Sequence, residues 1–436
     1  MSKPTGVTRR DFVRTSTAAG AALAAGGLSI ARSAHGAGAD DWLRVGLVGC
    51  GGRGTGAAAN ALDADKRTKL VAVADAFGDR LESSLAGLQK RFGDRVAVDA
   101  DHRFVGLDCC QRLVQSGVDV VLLAEPPHFR PRDLKTCIDA GKHVFCEKPV
   151  AVDAPGVQSI LATSEEAAKK GLNIVSGLCW RYHYGVRETI KRIHDGAIGD
   201  VLAVQAYFNT GLLWERPRQP DWTEMTFQLR NWYYFTWLSG DFNVEQHVHT
   251  LDKGLWIMHD QPPAVAWGTG GRQVRTDPKF GNIFDHHAVV YEWTGARPVT
   301  MYSYCRQMAN CWNENSAIVI GSKGRANVLK HTIEGETKWR YDGPGGSMYD
   351  IEHQELFAAI RAGKPINNGR YMALSTMMGI LGRMTTYTGK RITWDEAMAS
   401  KEDLSPKQYT FDAEPPILPG PDGKYPVAIP GVTKLV

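Results

Sequence analysis

A chain of 436 residues, 43% hydrophobic and 22% charged, is too long for one ordinary domain and has the balance of a globular protein with sizeable cores. No run approaches the roughly 20 uninterrupted apolar residues of a membrane span. The net charge of +4 sits in the first 39 residues, where Lys3, Arg9, Arg10, Arg14 and Arg32 face only Asp11. The remainder is close to neutral, which leaves no electrostatic footprint for nucleic acid or an anionic membrane.

Thr8-Arg9-Arg10-Asp11-Phe12-Val13 is a twin-arginine pattern, followed by a weakly apolar Ala/Gly stretch and the small residues Ala37-Gly38-Ala39. That order reads as a signal peptide over 1–39, recognised by the twin-arginine export machinery and leading to a periplasmic location. Proteins exported folded mature in a reducing compartment, so the eight cysteines are expected to be mostly buried free thiols. No Cys-x-x-Cys occurs, and a cysteine metal cluster is not expected.

From Trp42 strands and helices alternate. Leu43 to Val48 reads as a buried strand, Gly49 to Gly56 as a turn, and Gly56 to Leu62 as the start of a helix. Strands over 70–74, 118–123, 143–146 and 173–175 are expected, with helices over 79–92, 131–140 and about 155–170. This alternation predicts a parallel sheet covered on both faces, forming a domain over 40–178. After Leu178 a helix near 185–195 precedes aromatic-rich strands at 201–209, 263–270, 284–293, 298–306, 315–320 and 325–330. These predict a second α/β domain over 179–436 with a large, mostly antiparallel sheet open on one face. Helices over 350–362 and 371–388 and an extended tail from Glu414 close the chain.

Gly49-Cys50-Gly51-Gly52-Arg53-Gly54 is a G-x-G-x-x-G sequence between an expected strand and an expected helix, and Asp75 ends the following strand. Glycines let the backbone approach a pyrophosphate, and a helix N-terminus offers N–H donors and partial positive charge. The acid can accept hydrogen bonds from a ribose diol. Because Asp75 would repel a 2′-phosphate, NAD is favoured over NADP, with Arg80 and Arg53 the residues that could offset this. Glu147-Lys148-Pro149 ends another strand, at the edge where ligands bind such sheets. Lys148 can there reach a substrate hydroxyl beside the nicotinamide.

Together with the turn Glu125-Pro126-Pro127-His128, these motifs resemble the family of glucose–fructose oxidoreductase, inositol dehydrogenase and MocA. The likeness continues through Arg181-Tyr182, Gly196 to Asp200 and Tyr387 to Trp394. It implies a Rossmann domain, a second domain built on a mostly antiparallel sheet, substrate between the two, and homo-oligomers formed through that sheet. The implied cofactor set is Gly49, Gly51, Gly52, Arg53, Gly54, Asp75, Pro126, His128, Glu147 and Lys148. The family pairs this lysine with an acid and a histidine on a helix of the second domain, which here match Glu245 and His249, with Asp252 three residues beyond. Glu245 stands where sugar dehydrogenases usually have Asp, and His247 where a small residue is common.

If 240–252 is helical, Glu245, His249 and Asp252 share one face, and an imidazole with a carboxylate one turn away suits proton transfer. If it is extended, His247 joins Glu245 and His249 and the three could hold a metal, although no metal is assigned. Trp214, Trp222, Trp232, Tyr233, Tyr234 and Trp237, with Arg216, Arg218 and Arg230, could grip a sugar ring or form core. Trp232, Arg181, Tyr182, His247 and Asp252 are the candidate substrate residues. The expected function is hydride transfer between a sugar or polyol secondary alcohol and a tightly held NAD, with Lys148, His249 and Glu245 catalytic. The alternatives are an NAD-dependent glycoside hydrolase working through a transient keto sugar, and a non-catalytic nucleotide-retaining sugar-binding module.

Overall fold

In a computed structural model, residues 41–435 are described; the expected signal peptide lies outside them. Apolar runs that do not alternate are buried on both faces. Accordingly Leu43–Val48 (β1), Thr68–Asp75 (β2), Arg103–Val105 (β3), Val120–Leu123 (β4), His143–Cys146 (β5) and Ile174–Ser176 (β6) form a parallel sheet ordered β3-β2-β1-β4-β5-β6. The order reverses between β1 and β4, and a crevice opens at the carboxyl ends of these strands. Helices Gly52–Ala64, Gly78–Phe92, Arg130–Asp139 and Ala154–Lys169 flank the sheet. The last begins at Asp153, whose side chain accepts the Gly156 N–H and caps it.

The glycine-rich helix begins at Gly52 rather than Gly56, so Arg53 and Gly54 lie in its first turn. Gly49 completes the reversal by itself at φ +90°, leaving the next residues free to start the helix. Strand β3 and the helix Cys109–Leu113 were not expected, because neither is long enough to show a period.

The second domain contributes Val201–Thr210 (β7), Val265–Gly271 (β8), His286–Trp293 (β9), Val299–Gln307 (β10), Glu314–Gly321 (β11), Gly324–Asn327 (β12), Thr332–Gly335 (β13), Trp339–Arg340 (β14) and Ile392–Thr393 (β15). They form one sheet in the order β14-β13-β12-β11-β7-β10-β9-β8-β15, antiparallel except for the central pair β7/β10. Alternation is clear on β10: Met301, Ser303 and Cys305 are buried, whereas Tyr302 and Tyr304 are exposed. Tyr207 on β7 stacks on Tyr304, and Trp267 on β8 is exposed on the same face.

The two C-terminal helices join the domains. Met348–Ala362 returns to the first domain, where Ile351, Leu356, Phe357 and Ile360 enter the core beside Val45 and Leu47. Asn60 Nδ2 donates to Asp350 Oδ1 at 2.6 Å, and Arg361 Nε to Asp65 Oδ2 at 2.5 Å. Gly369–Thr388 is buried nearly all round, between the second sheet and helix Ala154–Lys169. The tail from Glu414 carries no helix or strand and tucks Tyr425 into the second domain. Among the described residues no helix is long and apolar enough to cross a membrane. All eight cysteines are free, seven of them buried.

Candidate active site

A cleft of about 570 Å³ lies at the carboxyl ends of β1, β2, β4 and β5, and residues of the second domain close it. Its floor is the glycine turn. A Cβ on Gly54 would lie 1.7 Å from the Gly49 carbonyl oxygen, and one on Gly49 2.5 Å from the Glu125 nitrogen, so turn and helix meet without side chains. A Cβ on Gly52 would meet nothing within 4 Å. Among the described residues no side chain caps the helix at Gly51, and its first turn lines the cleft, which leaves its N–H groups available to a ligand. Asp75 is 7% exposed; its Oδ2 accepts from the Cys50 N–H at 2.6 Å and its Oδ1 from the Phe77 N–H at 2.8 Å. Burial pushes this carboxyl up while the two amides oppose it. Open space above glycines, free helix N–H donors and a fixed carboxylate at the next strand end fit a dinucleotide.

The chemistry lies at the other end. Glu147 Oε1 accepts from Arg53 Nε at 2.5 Å, and Glu147 Oε2 from the Lys148 N–H at 3.2 Å. Lys148 crosses to the second domain, where Nζ donates to the Glu245 carbonyl at 2.8 Å and lies 3.1 Å from Glu245 Oε1. His249 lines the same wall. Its Nδ1 and Glu245 Oε2 are both buried without a hydrogen-bond partner among the described residues, so each has capacity left for a ligand. Burial, then the charges of Lys148, Lys253 and Arg53, holds the His249 imidazole well below its ordinary range. It is therefore neutral near pH 7 and can accept a proton.

The expected single helical face does not form. Residues 242–245 and 248–257 are separate helices joined through Gln246 and His247, a break that keeps Glu245 and His249 on the cleft. Asp252 faces away and is 1% exposed, with Arg181 Nε on its carboxylate at 3.0 Å and Ser375 Oγ at 2.7 Å. Four other expected ligand residues are corrected with it. Arg181 is sandwiched between Asp252 and Asp260 beneath the Tyr371 ring, 3.9 Å from its guanidinium. Tyr182 is buried and donates to Asn368 at 2.6 Å. His247 is fully buried against Ser303, Nε2 to Oγ 2.6 Å, because the break turns it toward β10. His128 packs against Trp237 and Tyr409 rather than the cleft, and burial pushes it down to about 3. The extended metal-binding arrangement of Glu245, His247 and His249 is thus not adopted.

Of the aromatic segment, Trp214 and Trp232 line the cleft with Arg216, whereas Tyr233, Tyr234 and Trp237 are core. The cleft also takes in Glu125, Cys179 and Tyr349, which are not among the residues expected there. Glu125 belongs to the Glu125-Pro126-Pro127-His128 motif, but Tyr349 arrives from the helix Met348–Ala362, far along the chain, and carries no local signal. Lys253 is fully buried, donates to the His249 carbonyl at 2.7 Å and sits 5.0 Å above the Trp180 ring. Its spacing of four from His249 was legible as one helical turn.

A Rossmann domain whose cleft is closed by a lysine, a carboxylate and a neutral histidine defines a dinucleotide-dependent enzyme of two domains. Residues 43–175 match the oxidoreductase family with NAD-binding Rossmann fold, and residues 190–372 match the C-terminal alpha/beta domain of the same glucose–fructose oxidoreductase, inositol dehydrogenase and MocA family. The chain belongs to this family of oxidoreductases, and NAD is its cofactor. It is 26% identical over 228 residues to the 2,7-anhydro-N-acetylneuraminate hydratase of Escherichia coli K12, a match covering 51% of this chain and 56% of that protein. The inositol 2-dehydrogenase of Rhizobium meliloti is 25% identical over 65% of this chain and 74% of its own. The chain spans little more than half the length of the first of these relatives. Aldose–aldose oxidoreductase from Caulobacter crescentus shares the fold with a TM-score of 0.62 at 18% identity, covering 81% of this chain and 99% of that one. GenD2 from gentamicin A biosynthesis, solved with NAD, has the same score at 17% identity, covering 82% and 98%.

Proposed function

We propose that the chain transfers a hydride between a secondary alcohol of a sugar or polyol and NAD, with Lys148 and His249 handling the hydroxyl proton. The observation that carries this is the bridge from Lys148 to Glu245 across the domain boundary, with His249 on the same wall. When bound, NAD supplies the hydride acceptor or donor. Lys148, anchored by Glu245, orients and polarises the hydroxyl, and neutral His249 takes its proton in oxidation or returns it in reduction. Trp232 and Trp214 cover the cleft and restrict water. The substrate class is supported by the inositol dehydrogenase relatives.

A second reading keeps these residues but returns the hydride to the same substrate within one turnover, making the net reaction a redox-neutral cleavage or hydration. It is favoured by the relatives named as hydratases, and a cofactor loaded before export through the 1–39 signal peptide into the periplasm would suit it. The open face of the second sheet, bearing Tyr207, Trp267, Tyr302 and Tyr304, is the surface through which copies would assemble.

The experiment is to purify the protein, identify released nucleotide by mass spectrometry, and screen sugars, polyols and glycosides with and without added NAD. Formation of NADH with a polyol or aldose supports hydride transfer; a released sugar without net NADH supports the redox-neutral reading. Absence of both activities, with NAD bound, would sink both readings.

A further inference from the structure

Two arginines from different domains face the dinucleotide half of the cleft, neither in an ion pair among the described residues. Arg80 lies on helix Gly78–Phe92, behind Asp75, and its NH1 would be 3.5 Å from a Cβ placed on Gly51. Its Nε and NH2 are shielded from solvent and have no hydrogen-bond partner among the described residues. Arg216 comes from the loop after β7 and lines the same cleft. Its backbone is gripped from both sides by the fully buried Asn231: the Arg216 N–H donates to Oδ1 at 2.8 Å, and Nδ2 donates to the Arg216 carbonyl at 3.0 Å. The guanidinium rests beside the Trp214 ring, 5.6 Å from its centre.

The nearby carboxylates are engaged elsewhere. Asp79 is taken by Arg230 in a two-pronged pair at 2.9 and 3.0 Å, Glu215 lies 3.6 Å from Lys279, and Asp75 is held by two backbone amides. Burial, then the repulsion of Arg216, holds Arg80 below the usual guanidinium range. Two like charges facing one cavity, one with unpaired buried donors, are arranged for an anion brought in by a ligand.

We propose that Arg80 and Arg216 clamp the pyrophosphate of NAD between the two domains, so that the second domain takes part in holding the cofactor. The pyrophosphate is the fitting anion because it must lie over Gly51 and Gly52, where a side chain would find open space or Arg80 itself. Asp75 reserves the adenosine ribose for a free diol. The clamp rests on the reading of the cleft as an NAD site, and it gives retention of the cofactor a structural cause: dissociation must break contacts to both domains.

The test is calorimetric titration of nucleotide-stripped protein with NAD, ADP, 2′,5′-ADP and adenosine, for the native chain and for Arg80→Ala and Arg216→Ala. Arg216 lies in an exposed loop, so its variant is expected to melt at the native temperature even if Arg80→Ala does not. Losing one charge-assisted contact weakens NAD and ADP by on the order of tenfold to a hundredfold and leaves adenosine unchanged. If Arg216→Ala binds ADP and NAD as tightly as the native chain, the clamp is overturned while the NAD site stands. If the variants lose only a preference for 2′,5′-ADP over ADP, the anion is a 2′-phosphate and the pyrophosphate clamp is equally overturned. A native chain that binds neither ADP nor NAD would overturn both the clamp and the site.

Discussion

Arg53, in the first turn of the glycine-rich helix, and Glu147, beside the candidate catalytic lysine, are joined at 2.5 Å, Nε to Oε1, at the carboxyl edge of the parallel sheet. The same guanidinium lies 3.8 Å from Glu352, on the helix that returns from the C-terminus. One side chain thus ties the glycine-rich end of the cleft, the strand end that carries Lys148 and the last third of the chain. Glu147 and Glu352 are almost wholly buried, so without Arg53 the Glu147 carboxylate would face a medium that cannot solvate charge.

Arg53→Met is therefore expected to destabilise the protein by about 2 kcal/mol. That is below the ~3–5 kcal/mol of a fully buried pair, because Arg53 keeps part of its surface in water. The urea unfolding midpoint measures it, and adding Glu352→Gln should recover part of the loss. An unchanged midpoint would mean that the bridge contributes nothing.

Glu352→Gln by itself tests a pH dependence. Burial, then Glu147, pushes the Glu352 carboxyl well above its ordinary 4.5. The folded state then holds a proton that the unfolded state releases, so this group lowers stability as pH rises above about 4.5. The glutamine variant should match the native chain near pH 4 and exceed it increasingly toward neutral pH. Parallel thermal melts across that range would contradict this assignment.

Lys148→Ala and His249→Asn should each lower kcat by about 10²–10⁴-fold while NAD still binds. Because the imidazole is held below its ordinary 6.5, the acid limb of the kcat/KM profile should fall below pH 6.5. Lys253, itself pushed down to about 8 by burial, supplies one of the charges responsible. Lys253→Met should move the acid limb upward toward 6.5, and a limb that stays put would remove Lys253 from the account.

Gly51→Ala and Gly54→Ala should separate cofactor binding from folding. A methyl on Gly51 meets only Arg80 NH1 at 3.5 Å, so the melting temperature should hold while NAD binding weakens. A methyl on Gly54 would collide with the Gly49 carbonyl oxygen, so that variant should lose stability as well. Equal melting temperatures for the two variants would refute the close-approach argument.

Tyr304→Asp, on the open face of the second sheet, should yield monomers in sedimentation if copies assemble through that face, with NAD binding unaltered. An unchanged sedimentation coefficient would move any assembly surface elsewhere.

Strand and helix order was largely legible, since long apolar runs and their spacing are local properties. The boundary at Gly52 and the short β3 were not, since a glycine turn and a three-residue strand carry no period. Gly49 to Gly54 and Asp75 could be picked out because turn geometry restricts residue type, whereas Lys148, Glu245 and His249 were legible through the family resemblance; all of them line the cleft. Arg181, Tyr182, Asp252 and His128 are expected at the ligand from the family resemblance and His247 from its place beside His249, and each is instead a buried contact in the structure. A histidine or arginine has the same letter whether it meets a substrate or a neighbouring carboxylate.

The sequence alone determined the two-domain α/β plan, and with the family resemblance it singled out Gly49 to Gly54, Lys148, Glu245 and His249, which line one cleft. Only the tertiary structure decided which polar groups are already satisfied by the protein. Asp252 is engaged by Arg181 and Ser375, whereas His249 Nδ1, Glu245 Oε2 and the Arg80 guanidinium retain unpaired atoms. That distinction depends on partners scores or hundreds of residues away, brought together when burial of the two sheets and the C-terminal helices fixes where each side chain ends.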